Sequence, residues 1–160
     1  MKAMVSAVSL AAIGCFIAGT AMAQTTNHAQ ADHRTFTPQA ITWSAGPPSL
    51  PRGAQAALLF GDPSKEGPFV LRLRFPDGYL VPPHRHGGAE ILTVISGTFA
   101  LGAGENASMG EVTRLTAGSF TAMPANMPHF ARAEGDTVVQ LNSIGPWTIT
   151  YVNPGDDPRR

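Results

Sequence analysis

Residues 69–75 (FVLRLRF) put Phe69, Leu71, Leu73 and Phe75 on one side and Val70, Arg72 and Arg74 on the other. A period of two marks a strand with one buried face. On this pattern Arg72 and Arg74 belong to a solvated outer face rather than to an anion site. Weaker forms of the pattern recur at 41–43, 56–60, 90–95, 98–101, 111–115, 119–123, 129–132, 137–143 and 147–152. Residues 79–81 lead into a further strand carrying two histidines. The breaks are turn chemistry: Gly61-Asp62-Pro63, Pro76-Asp77-Gly78, Ser96-Gly97 as a tight hairpin, Thr116-Ala117-Gly118 and Pro124-Ala125-Asn126-Met127-Pro128. No helical period outlasts a turn or two, and there is no repeat or heptad. About ten short strands joined by turns predict an all-β sandwich or barrel.

Composition strengthens that reading. Gly (17) and Pro (14) are abundant and lysine occurs only at positions 2 and 65, which disfavours long amphipathic helices. A chain of 160 residues suits one domain with a core that needs no staples. Eleven basic and eleven acidic residues cancel, so no charged field points to nucleic acid or to a cationic partner. The glycine-rich stretch 102–110 has neither the spacing nor a lysine to cradle phosphate.

The first 23 residues have a different character. Lys2 precedes a run of apolar and small residues ending in Ala21-Met22-Ala23, the pattern of a secretory signal cleaved after Ala23. The run is barely long enough for an uncleaved anchor. A lipoprotein reading at Cys15 is opposed by the apolar Phe16 and Ile17. The expectation is a periplasmic or secreted protein with no membrane attachment after cleavage. Because Cys15 is the only cysteine, the mature chain would hold no disulfide, thiol nucleophile or thiolate ligand. Residues 24–40 read as a polar arm in which His28 and His33 are solvated, residues 41–153 as the domain, and 154–160 as a polar, structure-breaking tail.

The candidate chemistry lies in GYLVPPHRHGGAEILTVISG, residues 78–97. His84 and His86 share a strand face, and a turn at Gly87-Gly88 can return Glu90 to the same face. Two imidazoles and a carboxylate suit a divalent metal, and His129 is the distant residue best placed to complete the set. The competing reading is an inert, hydrogen-bonded core cluster. Arg85, between the two histidines, should point away from them, where a structural role such as a subunit contact is open to it.

These spacings resemble a known family. Gly78, His84, His86, Glu90 and Gly97 stand at the intervals of the first cupin motif, and Gly118, Pro124 and His129 resemble the second. Asn126 occupies a usual glycine position, which it can fill because asparagine tolerates positive φ. Ala133 replaces a closing asparagine outside the ligand positions. The resemblance extends over most of residues 41–153, in the manner of small single-domain cupins of the cupin-2 type. It implies a double-stranded β-helix, or jelly-roll barrel, with a central metal and often a homodimer.

The resemblance leaves the reaction open, since cupins act as oxygenases, isomerases, decarboxylases and binding proteins. The expectation is one divalent transition metal (Fe, Mn, Ni, Zn or Cu) held by His84, His86, Glu90 and His129. Glu90 could instead stay free as a catalytic general base. The first functional expectation is a metal-dependent, oxygenase-like enzyme acting on a small organic substrate, with isomerisation second. The alternative is a non-catalytic small-molecule or metal-binding module. Phe75, Tyr79, Phe99, Phe120, Met123, Phe130, Gln140 and Trp147 are the candidates to line a substrate pocket.

Overall fold

The computed structural model describes residues 33–160. The expected signal segment, residues 1–23, and residues 24–32 of the expected arm lie outside them. Among the described residues nine strands follow in chain order: β1 (Ser44–Ala45), β2 (Gln55–Phe60), β3 (Gly67–Phe75), β4 (Leu80–Arg85), β5 (Glu90–Ala103), β6 (Val112–Thr116), β7 (Phe120–Met123), β8 (His129–Gly145) and β9 (Thr150–Tyr151). All their pairings are antiparallel. Helical structure among the described residues is limited to three short 3-10 turns, and no helix there is long and apolar enough to cross a membrane.

The two long strands hold the architecture together. β5 and β8 run against each other from Ile91 opposite Asn142 to Ala103 opposite His129. Their first and second halves take different outer neighbours. One layer orders β7, the start of β5, the end of β8, β3, β2 and β1. The other orders β6, the end of β5, the start of β8, β4 and β9. The result is a jelly-roll barrel, with Phe69, Leu73, Phe75, Leu92, Val94 and Phe99 among its buried core.

The continuity of β5 and β8 departs from the sequence reading in two places. Ser96-Gly97 is not a hairpin: β5 continues through it, with register shifts between Val94 and Thr98. Gly97 has φ 77°, and a Cβ there would fall 2.5 Å from the Asp136 carbonyl oxygen. The chain therefore bulges against β8 and bends into the second layer instead of reversing. Likewise 129–132 and 137–143 are one strand, bent near Gly135. Fully buried Thr137 supports this corner, accepting the Thr98 N–H (3.2 Å) and donating to the Gly135 carbonyl (2.9 Å).

Smaller differences occur at the ends. The first strand is Ser44–Ala45 rather than 41–43; Trp43 instead lies under the Arg74 guanidinium, 4.2 Å from ring centre to Cζ. Only Thr150–Tyr151 of the last expected strand is paired. The C-terminal residues are not simply broken structure. Pro154–Asp156 form a 3-10 turn, and Arg159 bonds Asp157 and the Ile149 carbonyl (3.1 Å). Arg72 and Arg74 lie on the outer face, as the alternation requires, bonded to Gln140 and Gln55.

Candidate metal centre

Three separate stretches bring the site together. His84 is on β4 and pairs across the sheet with His129, the first residue of β8. His86 follows β4, and Glu90 opens β5 in the other layer. The turns that deliver them are tied: the Asn126 N–H donates to the His86 carbonyl at 2.8 Å. Asn126 holds φ 63°, the conformation expected of a residue in a glycine's place. One nitrogen from each histidine and one Glu90 oxygen lie within 4.8 Å of one another, and all four residues are buried.

The hydrogen bonds behind the rings decide their chemistry. His84 Nδ1 faces the Pro82 carbonyl (2.7 Å), His86 Nδ1 that of Thr148 (2.8 Å), and His129 Nδ1 that of Met127 (2.9 Å). A carbonyl oxygen only accepts, so each Nδ1 carries a hydrogen, and the neutral form of each ring is the tautomer that directs an Nε2 lone pair inward. Glu90 Oε2, another acceptor, lies 3.0 Å from His129 Nε2 and 3.4 Å from His86 Nε2. Neither His86 Nε2 nor Glu90 Oε2 has a hydrogen-bond partner. Buried acceptors facing one another with no donor are costly, and a bound cation removes the cost. The four residues therefore fit a single divalent metal ion, with the backbone carbonyls behind the rings orienting each imidazole.

Electrostatics agrees. Burial, then the neighbouring His129 and His86, pushes His84 down to about 3, so it is a neutral, metal-ready imidazole at physiological pH. Burial pushes the Glu90 carboxyl up, and positive charge or donated protons at the Nε2 atoms of His129 and His86 bring it down to about 2; with the ring protons on Nδ1, a bound cation takes that part.

A cavity of about 230 Å³ reaches the four residues. Its walls come from Leu73 and Phe75 on β3, Leu92 and Phe99 on β5, Val139 and Leu141 on β8, and the loop residues Leu50, Trp147 and Ile149. Trp147 stacks on His86, with centroids 4.1 Å apart and planes 18° from parallel. Ser64 is both a lining residue and solvent-exposed, which places the cavity's outer end at the β2–β3 loop.

Of the residues singled out in sequence for this pocket, Phe75, Phe99 and Trp147 line it. The other five do not. Tyr79 is buried behind Phe75, stacked on it at 4.9 Å, with its hydroxyl given to the Pro51 carbonyl. Met123 packs in the core opposite Glu90 in the ladder without reaching the cavity. Phe120 is 63% exposed. Gln140 lies between inward Val139 and Leu141 and accepts a hydrogen bond from Arg72 outside. Phe130 is buried on the opposite side of β8 from His129 and Ala131, where its ring covers Gly102. Strand parity turns Phe120, Phe130 and Gln140 away, whereas Tyr79 and Met123 are buried in parts of the core the cavity does not reach.

Arg85 points away from its two histidine neighbours and pairs with Glu105 at 2.6 Å. The aliphatic wall and the three backbone carbonyls went unnamed in sequence. Counting two residues onward from each ligand finds Leu92 and Ala131; the carbonyls leave no signal, since every residue carries one.

The model of the Cupin_2 family, described as Cupin domain, matches residues 71–145. The structure is similar to an RmlC-like cupin from Shewanella frigidimarina NCIMB 400, with a TM-score of 0.54 and 17% identity over 71% of this chain and 90% of that one. The described domain has the cupin fold. This cupin barrel is also similar to the polyketide cyclase RemF from Streptomyces resistomycificus (TM-score 0.61, 14% identity, 79% of this chain and 90% of that one). A further neighbour is a salicylate 1,2-dioxygenase from Pseudaminobacter salicylatoxidans (TM-score 0.51, 20% identity, 61% of this chain and 30% of that one). No curated protein matches the chain by sequence. At these identities the structural likeness speaks for the fold alone.

Proposed function

We propose that this cupin is a mononuclear metal-dependent enzyme that oxidises a small organic substrate, with oxygenase-like chemistry ahead of isomerisation. One observation carries the reading: four converging ligand atoms, with His86 Nε2 and Glu90 Oε2 lacking any hydrogen-bond partner, line a cavity large enough for a small organic molecule. A structural ion needs no such cavity. Bound there, a redox-active divalent ion would supply oxygen chemistry, and a redox-inert one would polarise a carbonyl.

The protein's own part is binding and orientation. Three imidazoles and Glu90 would hold the ion and leave it open to water or substrate on the cavity side. Glu90, close to two imidazoles, serves as a ligand in this proposal rather than as a free base. The apolar wall excludes water from the reacting atoms. Elemental analysis of protein purified from its native compartment, followed by oxygen-uptake assays on a substrate panel, tests the proposal. About one metal per chain and substrate-dependent uptake support it. Metal content unchanged in a His84→Ala/His86→Ala variant sinks the metal assignment.

The same proposal includes export, supported by the signal pattern of residues 1–23, and a homodimer. The exposed Ile91, Phe120 and Ile144 on the outer face of one layer support the second copy.

A further inference from the structure

The cavity wall is unusual for what it leaves out. Apart from the four proposed metal ligands, its lining among the described residues holds no arginine, lysine, acid, amide or tyrosine; the only other side-chain hydroxyls there are those of Ser49 and Ser64. The Ser64 hydroxyl is already given to Asp62 (2.6 Å). Of the cations on the loops around the cavity, Arg52, two residues past Leu50, is solvent-exposed and not among the lining residues, and two others are engaged. Lys65, next to Ser64, pairs with Asp62 at 3.1 Å, and Arg159, bonded to the Ile149 carbonyl, pairs with Asp157 at 2.7 Å. The two arginines of β3 face the other way, engaged with Gln140 and Gln55. A substrate carboxylate or phosphate would therefore enter an apolar space with no counter-charge beyond the ion itself, and a sugar would lose most of its hydrogen bonds.

We infer that the substrate is an uncharged molecule with a hydrocarbon or single-ring body. This inference rests on the metal-centre reading above. The body rests against Leu73, Phe75, Phe99 and Leu141, with the Trp147 indole at the His86 side. The volume of about 230 Å³ lies below the roughly 300–1,000 Å³ typical of drug-sized ligands, which limits the body to one ring or a short chain.

The test uses catechol and protocatechuate, which chelate alike and differ by one carboxylate. The full mature protein is loaded with Zn(II), chosen because it is redox-inert, and metal content is measured first by elemental analysis. Isothermal titration calorimetry then gives both dissociation constants. Catechol is expected to bind at least about tenfold more tightly than protocatechuate. Ser49→Lys, which adds a cation to the wall without touching a ligand, should narrow or reverse that preference while leaving zinc content unchanged. Failure to load zinc refutes the metal centre and this inference together. Normal loading with protocatechuate binding as well as catechol, or with neither binding, refutes the substrate class alone.

Discussion

Glu90→Gln separates a metal centre from an inert buried cluster, because the two assign the carboxylate opposite effects. The replacement keeps the volume and exchanges one acceptor oxygen for an NH2 donor. With the ring protons held on Nδ1 by backbone carbonyls, metal-free Glu90 is a buried acceptor facing the Nε2 lone pairs of His86 and His129. A glutamine NH2 can donate one hydrogen across the 3.0 Å gap to His129 Nε2 and the other across the 3.4 Å gap to His86 Nε2, satisfying both acceptors. Relief of buried unsatisfied groups is worth about 1–3 kcal/mol, so the metal-free variant should gain about 2 kcal/mol. For a domain of this size that is a rise of roughly 6–10 °C in Tm.

Metal affinity should move the other way. Loss of the only anionic ligand is expected to weaken binding by at least about 100-fold, or about 2.8 kcal/mol. The assay is thermal unfolding of wild type and variant after chelation, then again with graded Zn(II). Wild type at about 100 times its dissociation constant should gain about 2.7 kcal/mol from the metal, and the variant little. A metal-free variant that melts below wild type, with zinc affinity unchanged, would refute the reasoning.

Acid should destabilise the metal-free protein through His84. Its folded value, about 3, lies below the unfolded 6.5, so the unfolded chain binds more protons between those values and stability falls as pH falls through that window. The contribution is about 1.4 kcal/mol lost by about pH 5.5, measured by urea unfolding at that pH and at neutrality, and His84→Asn should flatten the slope. Gly97→Ala should cost at least about 2 kcal/mol in denaturant unfolding, since it combines positive φ with a Cβ 2.5 Å from the Asp136 carbonyl. Ile144→Lys, at a position 60% exposed, should shift the proposed dimer to monomer in sedimentation while zinc content stays constant. Mass analysis of exported protein should find Gln24 at its N-terminus; an intact Met1 start would contradict the cleavage reading.

How much of this was legible in the chain varies with the range of the interaction. The β3 face was readable because alternation is a property of seven consecutive residues. The placing of His84, His86 and Glu90 was equally local, since one residue near the end of β4, one just past it and one tight turn bring them together. His129 could be named because the turn before it carries its own signature, ending with Asn126 at φ 63°. The Ser96-Gly97 hairpin failed for the complementary reason. A glycine at positive φ serves a reversal or a bulge equally well, and the choice is made by a β8 backbone dozens of residues away.

The sequence by itself thus determined the strand pattern, the donor chemistry of the site and the residues able to supply it. Only tertiary structure decided which large side chains face the cavity, because parity on β7 and β8 turns Phe120, Phe130 and Gln140 away from it. The tautomer of each histidine was decided there too, by the carbonyls of Pro82, Thr148 and Met127. Donor identity is written in side chains. Direction and partnership depend on where a folded backbone brings its neighbours.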